Sequence, residues 1–175
     1  MILLLGGARS GKSATAVRLA LGTGARVTFI ATAEAKDAEM ASRIARHQAQ
    51  RRPEWTTVEE PLDLCSAVAA TAASEVVIVD CLTLWVSNWL GQGHAAADVL
   101  AEAARLATLL GGRRALVVSN EVGLGIVPTN ALARVFQDTL GGVNAALAAR
   151  AAQTLFMVAG RALVLSPLDD VLDPL

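Results

Sequence analysis

The residue pattern with the clearest chemistry lies near the start of the chain. It has the complete Walker A spacing and consists of Gly6-Gly7-Ala8-Arg9-Ser10-Gly11-Lys12-Ser13. Glycines allow backbone N–H groups to surround an anion closely, because no Cβ separates the backbone from the phosphates. Lys12 can reach the β- and γ-phosphates of a nucleotide, and the Ser13 hydroxyl can bind Mg²⁺. The pattern therefore predicts that these residues bind a nucleoside triphosphate.

The sequence on either side of the loop favours this prediction over a glycine-rich turn without a ligand. An aliphatic run at residues 2–5 predicts a strand that leads into the loop, and residues 12–21 have helical spacing. The N-terminus of that helix would direct its partial positive charge at the same anion. Strand, loop and helix in this order are the context that a phosphate-binding motif requires.

Asp80 is a second candidate ligand. It follows the β-branched run Val76-Val77-Ile78-Val79, which is typical of a strand buried on both faces of a parallel sheet. A carboxylate at the end of such a strand can hold Mg²⁺ directly or through water. The alternative is that Asp80 caps the helix that follows. The predicted metal ligands are accordingly Ser13 and Asp80.

A helix predicted over residues 37–52 carries basic side chains and an imidazole at regular spacing. Arg43, His47 and Arg51 are four residues apart and lie roughly on one helical face. Imidazole can attack phosphorus, and guanidinium groups can stabilise the resulting oxyanion. A solvated basic helix face explains the same spacing, and these residues alone favour that interpretation.

The remaining sequence alternates between predicted strands and helices. Further strands are predicted at 27–31, 56–59, 115–119, 154–158 and 162–165, and further helices at 62–73, 83–90, 97–110 and 130–152, the last with a bend at Gly141-Gly142. This alternation predicts an α/β fold with a mostly parallel sheet flanked by helices. In the absence of repeats or linkers, residues 1–175 are predicted to form a single P-loop nucleotide-binding domain with a loose tail from about residue 166.

Composition argues against several other functional classes. The formal net charge of −1 gives no reason to expect a nucleic-acid partner. No apolar run reaches the roughly 18 residues of a membrane-spanning helix. Cys65 and Cys81 are too isolated for a disulfide framework or a zinc site, which favours a reducing, cytoplasmic setting.

Other side chains carry weaker chemical signals. Trp85 and Trp89, one helical turn apart, are predicted to pack, at a subunit contact if exposed, rather than to stack on a ligand ring. His94 follows a glycine-rich segment and is interpreted as solvated rather than catalytic. Asn120 and Glu121 follow a predicted strand, where α/β proteins bind ligands, so a role in the site is favoured over loop capping.

Taken together, the motifs resemble those of the bifunctional adenosylcobinamide kinase and adenosylcobinamide-phosphate guanylyltransferase family of cobalamin biosynthesis. The phosphate loop is followed in family order by Ile30-Ala31-Thr32-Ala33, the segment from Glu39 to His47, Val79-Asp80-Cys81-Leu82-Thr83 and, least generic of all, Ser119-Asn120-Glu121-Val122-Gly123-Leu124-Gly125-Ile126-Val127-Pro128. The resemblance runs from Met1 to about Gly160, and the tail beyond departs from the family pattern.

This resemblance implies a RecA-like P-loop fold and two successive reactions. ATP or GTP phosphorylates adenosylcobinamide, and GMP from GTP then passes through a covalent His47 intermediate to give adenosylcobinamide-GDP. Lys12 and His47 are the implied catalytic residues. Further implied nucleotide ligands are Ala31, Thr32, Ala33, Gln48, Ala49, Gln50, Arg51, Glu59 and Asp80. Some relatives carry glutamate at the position of Asp80. Relatives can be trimers, so a homo-oligomer is expected, and Mg²⁺ is the expected cofactor.

Two other functions remain open at this point. A plain small-molecule P-loop kinase would use the same loop without any guanylyl transfer. A nucleotide-dependent switch is disfavoured because the base-reading motif Asn-Lys-x-Asp of GTPases is absent from the sequence.

Overall fold

The structure is a computed structural model that describes residues 1–35, 38–49 and 51–171 of the 175-residue chain. Some side chains within these ranges are outside the description, namely those of Glu39, Met40, Arg43, Arg46, His47, Ala49 and Leu168. Several sequence predictions are affected, among them the site roles of His47, Ala49 and Gln50. The predicted helix start at Asp37 and the end of the predicted loose tail, at 172–175, lie outside the described residues.

Strands and helices alternate along the described chain. The strands are β1 (Ile2–Gly6), β2 (Val27–Ala31), β3 (Thr56–Glu59), β4 (Val76–Asp80), β5 (Ala115–Val118), β6 (Gln153–Val158) and β7 (Arg161–Leu165). The helices are α1 (Lys12–Leu21), α2 (Ala38–Ala49), α3 (Leu64–Ala69), α4 (Leu82–Gly91), α5 (Ala96–Gly111) and α6 (Ala131–Ala148), and a single 3-10 turn covers Leu168–Asp170.

One sheet contains these strands in the order β3-β2-β4-β5-β1-β6-β7. Every pairing is parallel except that of β7, which runs antiparallel to β6. The order and direction of the strands confirm the predicted α/β class with a mostly parallel sheet. Because β5 lies between β1 and β4, Val118 pairs with Leu4 on one side and with Asp80 on the other. The carboxyl ends of these three strands therefore meet at one edge of the sheet.

Both faces of the sheet are covered by helices, which explains the continuous apolar runs in its strands. One face packs against apolar side chains of α3, α4, α5 and α6, including Leu64, Leu82, Trp85, Leu106 and Val143. The other face packs against α1 through Ala16 and Ala20. Alternate residues of a strand serve alternate faces, so Val77 and Val79 belong to the first core and Ile78 to the second.

The helix boundaries differ from the predicted ones for local reasons. Helix α3 begins at Leu64 because the Asp63 side chain accepts a hydrogen bond from the Ser66 N–H at 3.0 Å, which caps the helix. Helix α6 is continuous through Gly141 and Gly142. A Cβ at Gly142 would lie 2.7 Å from a methyl carbon of Leu100, so this glycine allows α5 and α6 to pack closely rather than marking a break.

The tryptophans of α4 pack as predicted. Trp85 is fully buried, and its indole N–H donates to the Leu62 carbonyl at 2.7 Å. The Trp89 N–H donates to the same carbonyl at 3.0 Å, and the two rings meet edge to face at 5.9 Å. His94 is exposed, with its ring 4.6 Å from that of Trp89. Among the described helices, none combines the length and the apolar character of a membrane span.

Candidate active site

The phosphate loop, residues 6–13, connects the buried strand β1 to α1 in a conformation that requires its glycines. Gly6 has φ +144°, and a Cβ there would stand 2.2 Å from the carbonyl oxygen of Met157 in β6. Gly11 has φ +97° and caps α1. The turn between β6 and β7 also holds the loop, because the Gly160 N–H donates to the Ser10 carbonyl at 3.0 Å. The sheet thus fixes the loop at both ends.

Lys12 is the buried cation of this loop. Its side chain bends back over the loop, and Nζ donates to the carbonyls of Gly6 at 2.9 Å and Gly7 at 2.7 Å. Burial lowers the pKa of Lys12, and the nearby Cys81 and Asp80 partly offset this effect. The carbonyl dipoles therefore hold the ammonium group at the phosphate loop. A bound phosphate can replace these carbonyls as its hydrogen-bond partner.

A cleft of about 390 Å³ opens above the loop at the carboxyl edge of the sheet. Its described lining residues are Ala8, Arg9, Ser10, Gly11, Lys12, Ser13, Ala14, Ala31, Ala33, Ile44, Arg51, Glu59, Asp80, Cys81, Thr83, Leu84, Val118 and Asn120. Most of the predicted nucleotide ligands are in this lining, although they come from distant parts of the sequence. The structure therefore brings the phosphate loop, the end of β4 and the segment after α2 into one cavity.

Four predicted ligands lie beside the cleft rather than in its described lining. Gly6 and Gly7 hold Lys12 through their carbonyls. The fully buried Thr32 hydroxyl donates to the Cys81 carbonyl at 2.8 Å and accepts from the Cys81 N–H at 2.9 Å, so Thr32 fixes the backbone after Asp80. Gln48 donates to the Glu59 carboxylate at 3.0 Å. Gln50 and the side chains of His47 and Ala49 lie outside the described residues.

Arg51 is a further cation of the cleft, besides Arg9 and Lys12. Its guanidinium carbon lies 4.1 Å from the centre of the Phe29 ring. The Nε and Nη1 atoms are buried and have no hydrogen-bond partner among the described residues. Burial lowers the pKa of Arg51, and the Asp80 and Glu59 carboxylates oppose that shift. Buried guanidinium N–H groups of this kind are suited to an anionic ligand such as a phosphate.

The Asp80 carboxylate and Ser13 hydroxyl line the same cleft. No group of three or more His, Cys, Asp or Glu side chains that could hold a metal is found among the described residues. Mg²⁺ commonly binds through one or two protein oxygens together with nucleotide phosphates and water, rather than in a cage of protein ligands. The two oxygen donors therefore fit a metal that enters with its nucleotide.

The cleft also contains residues that the sequence predictions did not include. Ile44 is the half-buried side chain through which α2 contributes to the lining, and Thr83 stands in the first turn of α4. Thr83 had a detectable signal, because it is a polar residue shortly after a predicted strand end. Asn120, for which a role in the site was favoured, lines the cleft. Glu121 does not, and its carboxylate instead accepts the Gly123 N–H.

A phosphate loop between β1 and α1, with an acidic strand end beside it, defines a P-loop nucleotide-binding protein of the α/β class. The model of the cobinamide kinase / cobinamide phosphate guanyltransferase family matches residues 2–165, and the chain belongs to this family. The kinase and guanylyltransferase class predicted from the motifs is that of the family. The match includes β7, so any departure in the tail begins later than the predicted position after Gly160.

Curated relatives agree over nearly the whole chain. The bifunctional adenosylcobalamin biosynthesis protein CobP of Pseudomonas aeruginosa is 45% identical over 168 residues, which cover 90% of this chain and 92% of that protein. The bifunctional adenosylcobalamin biosynthesis protein CobU of Escherichia coli is 38% identical over 175 residues, or 91% and 96% of the two chains. Among solved structures, the crystal structure of the RadB recombinase aligns with a TM-score of 0.48 and 18% identity, covering 89% of this chain and 72% of that chain.

Proposed function

We propose that this chain phosphorylates adenosylcobinamide with ATP or GTP and then transfers GMP from GTP, through His47, to adenosylcobinamide phosphate. The observation that carries this proposal is the composition of one cleft. Its floor is the phosphate loop with Lys12, and Arg51 and Glu59 from the segments after α2 and in β3 contribute to its wall. His47 belongs to α2, the helix from which Ile44 lines the cleft.

The kinase step needs mainly position and charge. The acceptor hydroxyl oxygen bonds to the γ-phosphorus, the bond from that phosphorus to the β-γ bridging oxygen breaks, and the nucleoside diphosphate leaves with its electron pair. The hydroxyl proton passes to solvent. Lys12 and the N–H groups of the phosphate loop stabilise the charge on the transferring group, and the rigid loop prevents the loss of orientation that would slow the reaction.

The guanylyl step uses covalent catalysis. An imidazole nitrogen of His47 bonds to the α-phosphorus of GTP, and pyrophosphate leaves. A phosphate oxygen of adenosylcobinamide phosphate then attacks the same phosphorus, which breaks the phosphorus–nitrogen bond, regenerates His47 and yields adenosylcobinamide-GDP. Two displacements replace one difficult step. The Arg51 N–H groups supply positive charge for the α-phosphate oxygens during both displacements.

We also assign Mg²⁺ to the Ser13 hydroxyl and the Asp80 carboxylate, since both oxygen donors line the cleft. When bound, the ion neutralises phosphate charge as the leaving group departs. The predicted contacts of Ala31, Thr32 and Ala33 with the nucleotide belong to the same proposal. Ala31 and Ala33 line the cleft, whereas Thr32 supports the Cys81 backbone.

The decisive experiment tests whether the α-phosphate of GTP becomes covalently attached to the protein. Protein incubated with α-³²P-GTP and Mg²⁺ should carry radioactivity that survives denaturing electrophoresis and is removed by dilute acid, because a phosphorus–nitrogen bond to imidazole is acid-labile. The γ-labelled nucleotide should leave no such adduct, since attack at the α-phosphorus expels both outer phosphates. His47→Ala should abolish the adduct while much of the kinase activity remains.

The other basic side chains provide the comparison for this experiment. Arg43→Ala should slow the labelling without preventing it, and His94→Ala should leave labelling unchanged, because His94 packs on Trp89. An acid-labile adduct on His47→Ala protein would place the nucleophile elsewhere. If the parent protein phosphorylates adenosylcobinamide but never carries the label, it is a plain P-loop kinase.

We further propose that residues 1–175 act as a single domain in the cytoplasm and assemble as a homo-oligomer, with a trimer as the state that the family resemblance implies. The exposed edge strand β7 supports assembly, because Leu163 and Val164 are 64% and 62% exposed. A second copy that covered this edge would remove apolar surface from water. Light scattering coupled to size-exclusion chromatography tests it: a monomer mass would exclude the homo-oligomer.

A further inference from the structure

We propose that Asn120 is a further catalytic residue of the kinase step, whose side-chain amide contacts the phosphoryl group in transfer, and that Asn144 and Thr83 are its positioning residues. The inference rests on the proposed kinase function and adds a contact to it. Asn120 follows β5, the strand that lies between β1 with its phosphate loop and β4 with Asp80. Asn120 lines the cleft that contains Lys12 and Asp80.

The Asn120 backbone is held from two directions. Its N–H donates to the Thr83 hydroxyl oxygen at 2.9 Å, and its carbonyl accepts from the Asn144 amide nitrogen at 3.0 Å. Thr83 belongs to α4 and Asn144 to α6, so two helices fix the same residue. A strand can end without hydrogen bonds from two helices to the residue that follows it. The support is suited to a side chain that must keep one position in the cleft.

Asn144 is itself part of a buried polar network. It is only 5% exposed, and its amide oxygen accepts from the Ser119 hydroxyl at 2.6 Å. Both ends of the Asn144 side chain therefore bind consecutive residues, Ser119 and Asn120, immediately after β5. Burying an amide among apolar side chains costs free energy unless both ends are satisfied. Among the described residues, the hydrogen bonds of this amide go to the segment that follows β5 and contains Asn120.

The chemistry of an amide suits this position. Lys12 binds the β- and γ-phosphates from the side of β1, and Asp80 lies on the side of β4. Because β5 lies between these two strands, the terminal phosphoryl group is transferred close to the end of β5. The Asn120 N–H₂ group can donate to a γ-phosphate oxygen, and its carbonyl oxygen can accept from the acceptor hydroxyl. A neutral amide does both without adding negative charge beside phosphate, whereas a carboxylate would repel it.

The test compares the kinase step with formation of the GMP adduct in the same protein. Asn120→Ala should lower kcat for phosphorylation by about 10²-fold, the effect of losing one donor to a developing charge. The KM for nucleotide and the rate of α-label incorporation should stay within about threefold of the parent values, because the adduct forms at the α-phosphorus. Asn120→Asp should be at least as impaired in phosphorylation. Asn144→Leu should reduce the same kcat by about tenfold, the cost of losing a bond worth about 1.4 kcal/mol, with KM unchanged.

Two controls separate this inference from stability and from the proposed function. Asn130→Ala removes the helix cap of α6, which the Asn130 side chain forms with the Ala133 N–H, and should lower stability without changing kcat. A parent protein that neither phosphorylates adenosylcobinamide nor forms an adduct sinks the proposed function. With an active parent, a normal kcat in Asn120→Ala, or equal losses in both reactions, overturns the assignment of Asn120. Should Asn144→Leu fail to fold, the two Asn120 variants alone decide.

Discussion

Two parts of the cleft are constructed in different ways. In the phosphate-loop region, comprising the loop at 6–13 and the end of β4, the functional groups stand at the ends of buried parallel strands. In the α2 region, comprising α2, Arg51 and Glu59, they stand on a helix whose described side chains are mostly exposed, in the segment that follows this helix and on the edge strand β3. Ile44 is the half-buried exception, and Gln48 connects the helix end to Glu59.

The difference predicts which activity each region serves. The phosphate-loop region is fixed by the sheet and by helices on both of its faces, so a change there should affect every reaction that uses the nucleotide triphosphate chain. Of the described side chains of α2, Ile44 lines the cleft. Because the proposed nucleophile His47 belongs to this region, a change there should affect guanylyl transfer more than phosphorylation. Variants in the two regions therefore distinguish residues that both reactions need from residues that only guanylyl transfer needs.

The largest expected effect is that of Lys12→Ala. Removal of the buried ammonium group should lower both phosphorylation and adduct formation by at least about 10³-fold, because its charge is matched to the phosphates in each reaction. Initial rates and α-label incorporation measure the two losses. Arg18→Ala, an exposed basic position on the same helix, is the control and should keep both activities. A selective loss of one activity would contradict the shared role of the loop.

Gly6→Ala should come next, and it tests the rigidity of the phosphate-loop region. The new methyl group would meet the Met157 carbonyl at 2.2 Å with φ at +144°, so β1 or β6 must shift. We expect a loss of about 2–4 kcal/mol in the free energy of unfolding. Urea denaturation measures it. Gly7→Ala is the matched control, since a Cβ there meets nothing within 4 Å, and similar losses in both variants would show that the contact with β6 is unimportant.

Asp80→Asn should have an intermediate effect on both reactions. An amide is a poorer ligand than a carboxylate for a hard cation, so the Mg²⁺ concentration for half-maximal rate should rise by about 10- to 100-fold. A Mg²⁺ titration of each activity measures the change. Asp138→Asn, at an exposed position of α6, should titrate like the parent protein. An unchanged titration in Asp80→Asn would leave only the alternative that this carboxylate caps the following helix.

The smallest effect is expected for Arg51→Ala. It should be largely confined to guanylyl transfer, the reaction assigned to the α2 region. Loss of charge-assisted hydrogen bonds worth about 1.5–3 kcal/mol should slow α-label incorporation by about 10- to 100-fold, with less change in phosphorylation. Arg52→Ala, the exposed neighbour, should match the parent protein. A larger loss of kinase activity than of labelling would overturn the division between the two regions.

The phosphate-loop region was the more predictable of the two. A glycine-rich loop between an aliphatic strand and a helix is defined by local sequence, and the structure places Ser10 to Ser13 in the cleft as expected. Asp80 was predictable because the end of a buried strand identifies the edge to which it belongs. Thr83 was not predicted, although it is a polar residue shortly after a strand end. Its hydrogen bond with the Asn120 N–H depends on β5, which is distant in sequence and lies beside β4 only in the sheet.

The residues of the α2 region could be assigned to one site only from the tertiary structure. The four-residue spacing of Arg43, His47 and Arg51 fits a solvated helix face equally well, and only the family resemblance assigned it a nucleotide. The structure adds that Arg51 packs on Phe29 and lines the cleft with Glu59. The contact with Phe29 joins the segment after α2 to β2, which helical periodicity does not reveal.

The sequence alone determined the α/β class, the phosphate loop and the family, because each depends on local motifs and on their order along the chain. The tertiary structure decided which distant residues share the cleft. Strand order placed β5 between β1 and β4, and with it Asn120 between the lysine and the carboxylate. Parallel strands are paired through long crossovers, so their order is set by packing of both sheet faces rather than by any local signal.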